Sequence, residues 1–130
     1  MNPPSLLVVK ADTLGDLVLF EPALRQLRAA CPESRIAVVV RESYVGLGRL
    51  LVAGIDWIGT SIDPFTHGPE RDGAELERIR AAAGERAPSL VIAATSRRNW
   101  LETTLAADAA GARRLAFASD SDDAFFATQL

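Results

Sequence analysis

The sequence predicts an α/β domain, an open parallel sheet of about five strands with helices on both faces. Three observations predict it. Short unbroken apolar runs at residues 6–9, 36–40 and 90–94 suit strands buried on both sides. Between them, apolar residues recur at spacings of three and four, the mark of helices that bury one stripe. Strand and helix then alternate along the chain, which builds right-handed βαβ units and so a parallel sheet.

The elements follow in order. After the first strand, Asp12, Thr13, Gly15 and Asp16 crowd a tight turn, and Leu17, Phe20, Leu24, Leu27 and Cys31 then form one helical stripe. Cys31 reads as a core residue, because a free thiol packs as a small apolar group. Pro22 inside the stripe either removes one backbone bond or starts the main helix after a one-turn lead-in. Residues 36–40 give the second strand. Glu42 or Ser43 can cap a short helix carrying Tyr44, Leu47, Leu50 and Leu51, and Gly54 can stop it. Residues 55–62 read as a third strand, followed by an irregular loop between Asp63-Pro64 and Gly68-Pro69. Asp72 opens a third helix with Leu76, Ile79 and Ala83 inside. Residues 90–94 form the fourth strand, 95–99 a polar turn, and a fourth helix runs from about Trp100 to Gly111. Residues 115–118 form a short fifth strand.

A length of 130 residues is that of one domain. The composition, 48% apolar and 24% charged, is that of an ordinary globular chain. A net charge of −3 and a pI near 5.1 argue against a general nucleic-acid binder, which needs a basic surface. One cysteine excludes an internal disulfide and a cysteine metal cage, and it suits a reducing cytosol. The first apolar run has no basic flank and is broken at Lys10 and Asp12, so it is neither signal peptide nor transmembrane segment.

Three loops are expected at the carboxyl edge of the sheet, where ligands bind in such folds: residues 12–16, 63–68 and 95–99. Asp16 begins a helix, so it either caps orphan amides or serves as a base. Gly15 lets backbone approach a ligand. No GxGxxG and no Walker-type lysine follow, which excludes a dinucleotide or P-loop site. Arg97 and Arg98 start a helix, where guanidinium forks and free amides favour phosphate or carboxylate; the alternative is a solvated pair with stems on Trp100. Arg41 either joins them or faces water, the latter being the expectation. His67, the single histidine, is expected to be exposed and idle, and Trp57 and Trp100 to pack. Asp120, Asp122 and Asp123 lack the glycine and terminal Glu of a calcium loop and read as a solvated turn. Phe125 and Phe126, if exposed, would make an apolar patch.

The run VVKADTLGDLVLFEPALRQLRAACPESRIAVVV resembles the opening of the bacterial heptosyltransferases, glycosyltransferase family 9, through Gly15, Asp16, Pro22, Ala23, Leu24 and Pro32. A weaker echo lies in residues 101–117. The resemblance implies the GT-B architecture of two Rossmann-like domains with the active site between them. This chain would be the N-terminal, acceptor-side domain over residues 1–130, with the donor-binding domain absent from it or supplied by a partner chain. It further implies inverting transfer from an ADP-heptose-type donor to a lipopolysaccharide-type or other glycan acceptor, with no metal and no cofactor. By that resemblance Asp16 would be the general base and basic residues of the loops would meet acceptor phosphates, Arg97 and Arg98 lying in a suitable loop; Thr13 and Gly15 of the first turn are the further candidates for substrate contact. The implied location is cytoplasmic, peripheral at the inner face of the inner membrane. Alone, the chain should be inactive, since a base on one wall cannot act on a donor held by a missing wall.

Two rivals differ in class. A phospho-receiver domain would use Asp12, Asp63 and Thr95 or Ser96, but the fifth strand lacks its lysine and the first-strand acid pair is incomplete. A non-catalytic interaction domain would keep Asp16 only as a helix cap.

Overall fold

The computed structural model describes residues 4–95 and 97–116. The expectations for Asp120, Asp122, Asp123, Phe125 and Phe126 lie outside the described residues. The described elements are β1 (Ser5–Val9), α1 (Leu14–Ala30), β2 (Arg35–Arg41), a 3₁₀ turn (Glu42–Tyr44), α2 (Val45–Leu51), β3 (Asp56–Thr60), α3 (Gly73–Glu85), β4 (Leu90–Ala93), α4 (Trp100–Asp108) and β5 (Arg113–Ala116).

All strand pairs are parallel, in the order β3-β2-β1-β4-β5. Val8 of β1 sits between Val38 of β2 and Ile92 of β4, so the central strand is covered on both edges. Its side chains alternate between two cores, as strand geometry requires. Leu6 and Val8 join Leu17 and Leu24 of α1 on one face, while Leu7 and Val9 join Ile79 of α3 and Leu101 and Leu105 of α4 on the other. This is the Rossmann-like open sheet that the alternation predicts.

The order also removes the phospho-receiver alternative. That reading needs the doubly wound order 2-1-3-4-5, with the third strand inside the sheet. Here β3 is an edge strand. The chain reverses direction across the sheet after β3, and β1 and β4 become neighbours. A crevice opens at the carboxyl ends of strands at such a switch point.

Several elements differ from expectation for local reasons. The first helix runs unbroken from Leu14 through Pro22, with no separate lead-in. Pro22 removes the donor for the Val18 carbonyl, but both residues are exposed, so water can take its place. Cys31 is half-buried against the core at the end of α1. Neither Glu42 nor Ser43 caps α2 through its side chain. Strand β5 begins at Arg113, earlier than its apolar residues suggest, because it is the other edge of the sheet and tolerates charge there.

Leu50 does not face inward; it is 86% exposed. The buried position of α2 is Gly48, pressed on Trp57 of β3. A Cβ at Gly48 would lie 2.8 Å from the indole ring. Gly48→Ala should therefore cost about 1–3 kcal/mol in urea unfolding, with a shift in tryptophan emission, as overpacking does. Unchanged stability would show that the ring moves aside freely.

Candidate functional site

The three expected loops do converge. Asp12, Thr13, Asp16, Arg41, Asp63, Phe65, Thr95 and Arg97 line one open cleft of about 350 Å³ at the carboxyl edge of the sheet.

Asp12 of this lining is paired with Lys10, the single lysine of the chain. Lys10 Nζ donates to Asp12 Oδ2 and to the Ala94 carbonyl, both at 2.9 Å, and lies 5.4 Å from the Phe20 ring centroid. It thereby ties the end of β1 to the end of β4. Lys10 and Asp12 are both 7% exposed. Burial raises the Asp12 carboxyl above its ordinary value; Lys10 opposes this and the nearby Asp16 adds to it.

Thr13 stands at the N-cap of α1 but caps no amide. Its hydroxyl donates to Asp16 Oδ2 at 2.6 Å. Asp16 is half-buried at the cleft wall and is turned toward the neighbouring hydroxyl. Gly15 is exposed, and a Cβ there would meet nothing within 4 Å. Among the described residues no packing demand accounts for glycine at this position.

The second loop is folded on itself. Asp63 Oδ1 accepts the Phe65 amide at 3.0 Å, an Asx-type turn, and pairs with Arg41 at 3.1 Å. Burial pushes Asp63 upward, but the Phe65 amide, Thr66 and Arg41 outweigh it and hold the carboxyl below its ordinary value. Arg41 thus joins the cluster instead of facing water. His67 is not idle either: its carbonyl accepts Trp100 Nε1 at 2.6 Å, and its Nδ1 lies 3.3 Å from Asp72 Oδ2. These contacts fasten the loop to α4 and to the start of α3.

The third loop is pinned from below by Glu102, which is fully buried. Its carboxylate accepts the Thr95 and Asn99 amides at 3.3 and 3.2 Å, and the Thr95 hydroxyl lies 2.8 Å away. Asn99 Oδ1 accepts the Glu102 amide at 3.0 Å, completing a capping box.

The two arginines of this loop diverge. Arg97 is exposed in the cleft with its guanidinium 5.4 Å from the Phe65 centroid. Arg98 turns back, bonds the Thr95 carbonyl and lies in the field of Glu102. Sequence reasoning missed Phe65, Lys10 and Glu102. The spacing Asn99-x-x-Glu102 is a capping-box signal that could have found the last, whereas Phe65 has no local signature. Among the described residues no group of three His, Cys, Asp or Glu side chains could hold a metal ion. No described helix is long and apolar enough to cross a membrane.

No protein-family model and no curated protein matches the sequence. Solved structures do match it. A glycosyltransferase family 9 protein of Veillonella parvula superposes with a TM-score of 0.72 at 20% identity, over 98% of this chain and 36% of that one. Escherichia coli heptosyltransferase WaaC with ADP-2-deoxy-2-fluoro heptose gives a TM-score of 0.69 at 20% identity, over 97% and 42%. Phytolacca americana UGT2, solved with UDP-2fluoro-glucose and pterostilbene, gives 0.58 at 17%, over 90% and 30%. At these identities the likeness is one of fold, and the chain spans well under half the length of each of these structures.

Proposed function

We propose that this chain is the acceptor-side half of an inverting, heptosyltransferase-like glycosyltransferase, with Asp16 as general base. The observation that carries the reading is the joining of Asp16 and Arg97, from separate loops, in one cleft at the topological switch point. Fold likeness to glycosyltransferases, one of them solved with an ADP-heptose analogue, supports the reaction class.

The chemistry follows from the side chains. An acceptor hydroxyl resting against Asp16 passes its proton to the carboxylate as its oxygen bonds to the anomeric carbon of the donor. The bond from that carbon to the nucleotide diphosphate breaks in the same step, and the diphosphate leaves with the electron pair. Attack on the face opposite the leaving group inverts the centre. A carboxylate is a weak base toward an alcohol, so positioning must supply much of the rate. Thr13 donates to one carboxylate oxygen and so fixes its direction.

In this reading the donor, ADP-heptose-like, is held by a second domain or partner chain. The acceptor is a lipopolysaccharide-type or related glycan, met in the cytoplasm at the inner face of the inner membrane. Arg97 makes no carboxylate pair among the described residues and is the group to meet an acceptor phosphate or carboxylate. Arg98, by its turn toward Thr95, supports the loop from behind.

Titration of the 130-residue chain with a phosphorylated inner-core oligosaccharide, followed by amide chemical shifts, tests this. Perturbations should centre on Thr13, Asp16 and Arg97, and Arg97→Ala should weaken binding about 10–100-fold, the value of a hydrogen bond to a charged group. Equal affinity for the dephosphorylated oligosaccharide would overturn the anionic assignment.

A further inference from the structure

We propose that Asp12, which lines the cleft, accepts at its buried Oδ1 a hydrogen bond from a saccharide hydroxyl, making Asp12 a substrate-binding residue beside Asp16. The inference rests on the acceptor reading above and deepens it.

Asp12 is more than nine-tenths buried, lines the cleft, and has one carboxylate oxygen, Oδ1, that is buried without a hydrogen-bond partner. Native proteins rarely leave such an atom unsatisfied, and the exceptions gather at functional sites. The side-chain donors nearby have other partners, and of the backbone only the amide of Asp12 itself acts on the carboxylate. Lys10 gives two hydrogens to Asp12 Oδ2 and the Ala94 carbonyl and lies against the Phe20 ring. The Thr13 hydroxyl is given to Asp16. Arg41 serves Asp63 and the Ala11 carbonyl. The Thr95 hydroxyl lies 2.6 Å from the Arg97 carbonyl. None of these side chains answers Oδ1, and a molecule seated in the cleft against Asp12 would supply the donor they do not.

Charge decides what kind of donor it is. Lys10 already neutralises Asp12 at 2.9 Å, so an entering ammonium or metal ion would meet a spent carboxylate and a like charge. A neutral O–H donor meets neither. The burial that raises the Asp12 carboxyl also strengthens a hydrogen bond made there, because water is excluded. A polyol with vicinal hydroxyls can satisfy Asp12 and offer a second hydroxyl to Asp16.

The test uses the ¹³C-labelled 130-residue chain and two anionic probes. D-glucuronate carries a carboxylate for Arg97 and hydroxyls for Asp12; cyclohexanecarboxylate has the carboxylate and the ring but no hydroxyl. Glucuronate should shift the Asp12 side-chain carboxyl resonance as the Arg97 amide saturates, and cyclohexanecarboxylate should move Arg97 alone. Asp12→Asn keeps an oxygen for Lys10 and should weaken glucuronate about tenfold without changing cyclohexanecarboxylate. If that variant does not fold, the carboxyl resonance of the unmutated chain decides. An Asp12 resonance that stays fixed while Arg97 saturates, or wild-type glucuronate affinity in Asp12→Asn, overturns the role of Asp12 and leaves the acceptor reading standing. No glucuronate response at either Arg97 or Asp16 overturns both.

Discussion

Asp16→Asn, made in the two-domain enzyme that the proposed function implies, is expected to lower kcat for sugar transfer about 10²–10⁴-fold, the range set by positioned general bases. Acceptor affinity should change little. The amide keeps the oxygen that receives the Thr13 hydroxyl, so the turn retains its shape, and only proton acceptance is lost. A uniform fall in binding would have a different signature, a raised KM with kcat intact. Steady-state rates at saturating donor and acceptor distinguish the two. Transfer near the unmutated rate would remove Asp16 from catalysis and leave the cleft as a binding surface.

Glu102→Ala is expected to destabilise the chain by about 3–5 kcal/mol in urea unfolding, the largest single loss predicted away from the cleft. The substitution strips partners from the Thr95 and Asn99 amides and leaves a hole under α4, next to the loop that carries Arg97. The pH dependence has a definite sign. Burial raises the Glu102 carboxyl above its usual 4.5, against the bonds from Thr95 and Asn99 and the field of Arg98. A carboxyl raised in the folded state holds its proton more tightly there than in the unfolded chain. Its contribution is therefore fullest below pH 4.5 and declines as pH rises through the higher folded value. The hydroxyl of Thr95 points the same way. It has one proton and two close oxygens, Glu102 Oε2 at 2.8 Å and the Arg97 carbonyl at 2.6 Å. A protonated Glu102 can donate to Thr95 while Thr95 donates to Arg97. Glu102→Gln has no proton to lose, so the stability difference between the native chain and this variant should fall as pH rises from 4 to 7. A difference that grows over that range would reverse the assignment.

The legible part of this molecule was legible because it is periodic. Leu6 to Val9 are apolar without a break since both faces of β1 are covered, and Leu76, Ile79 and Ala83 repeat with the helical turn. Leu50 shows where such reading stops. It shares its helix with Tyr44, Leu47 and Leu51, yet it is exposed, and the buried position of that helix is Gly48, packed on Trp57 of the next strand. The site divides in the same way. The turn with Thr13, Gly15 and Asp16 is local, so its residue types announce it. Arg97 and Arg98 are adjacent and chemically alike, and nothing local separates them. Phe65 from one side and Glu102 from the other draw them apart.

The order of apolar runs and turns was sufficient by itself to determine a parallel α/β sheet and to place three loops at its carboxyl edge. Backbone hydrogen bonding and burial act over a few residues, so sequence spacing records them. Tertiary structure alone decided that β1 lies against β4, that Arg41 pairs with Asp63, and that Asp12 ends with one oxygen unanswered. Those outcomes depend on which charges and donors meet across the sheet, and such meetings leave no periodic trace in the chain.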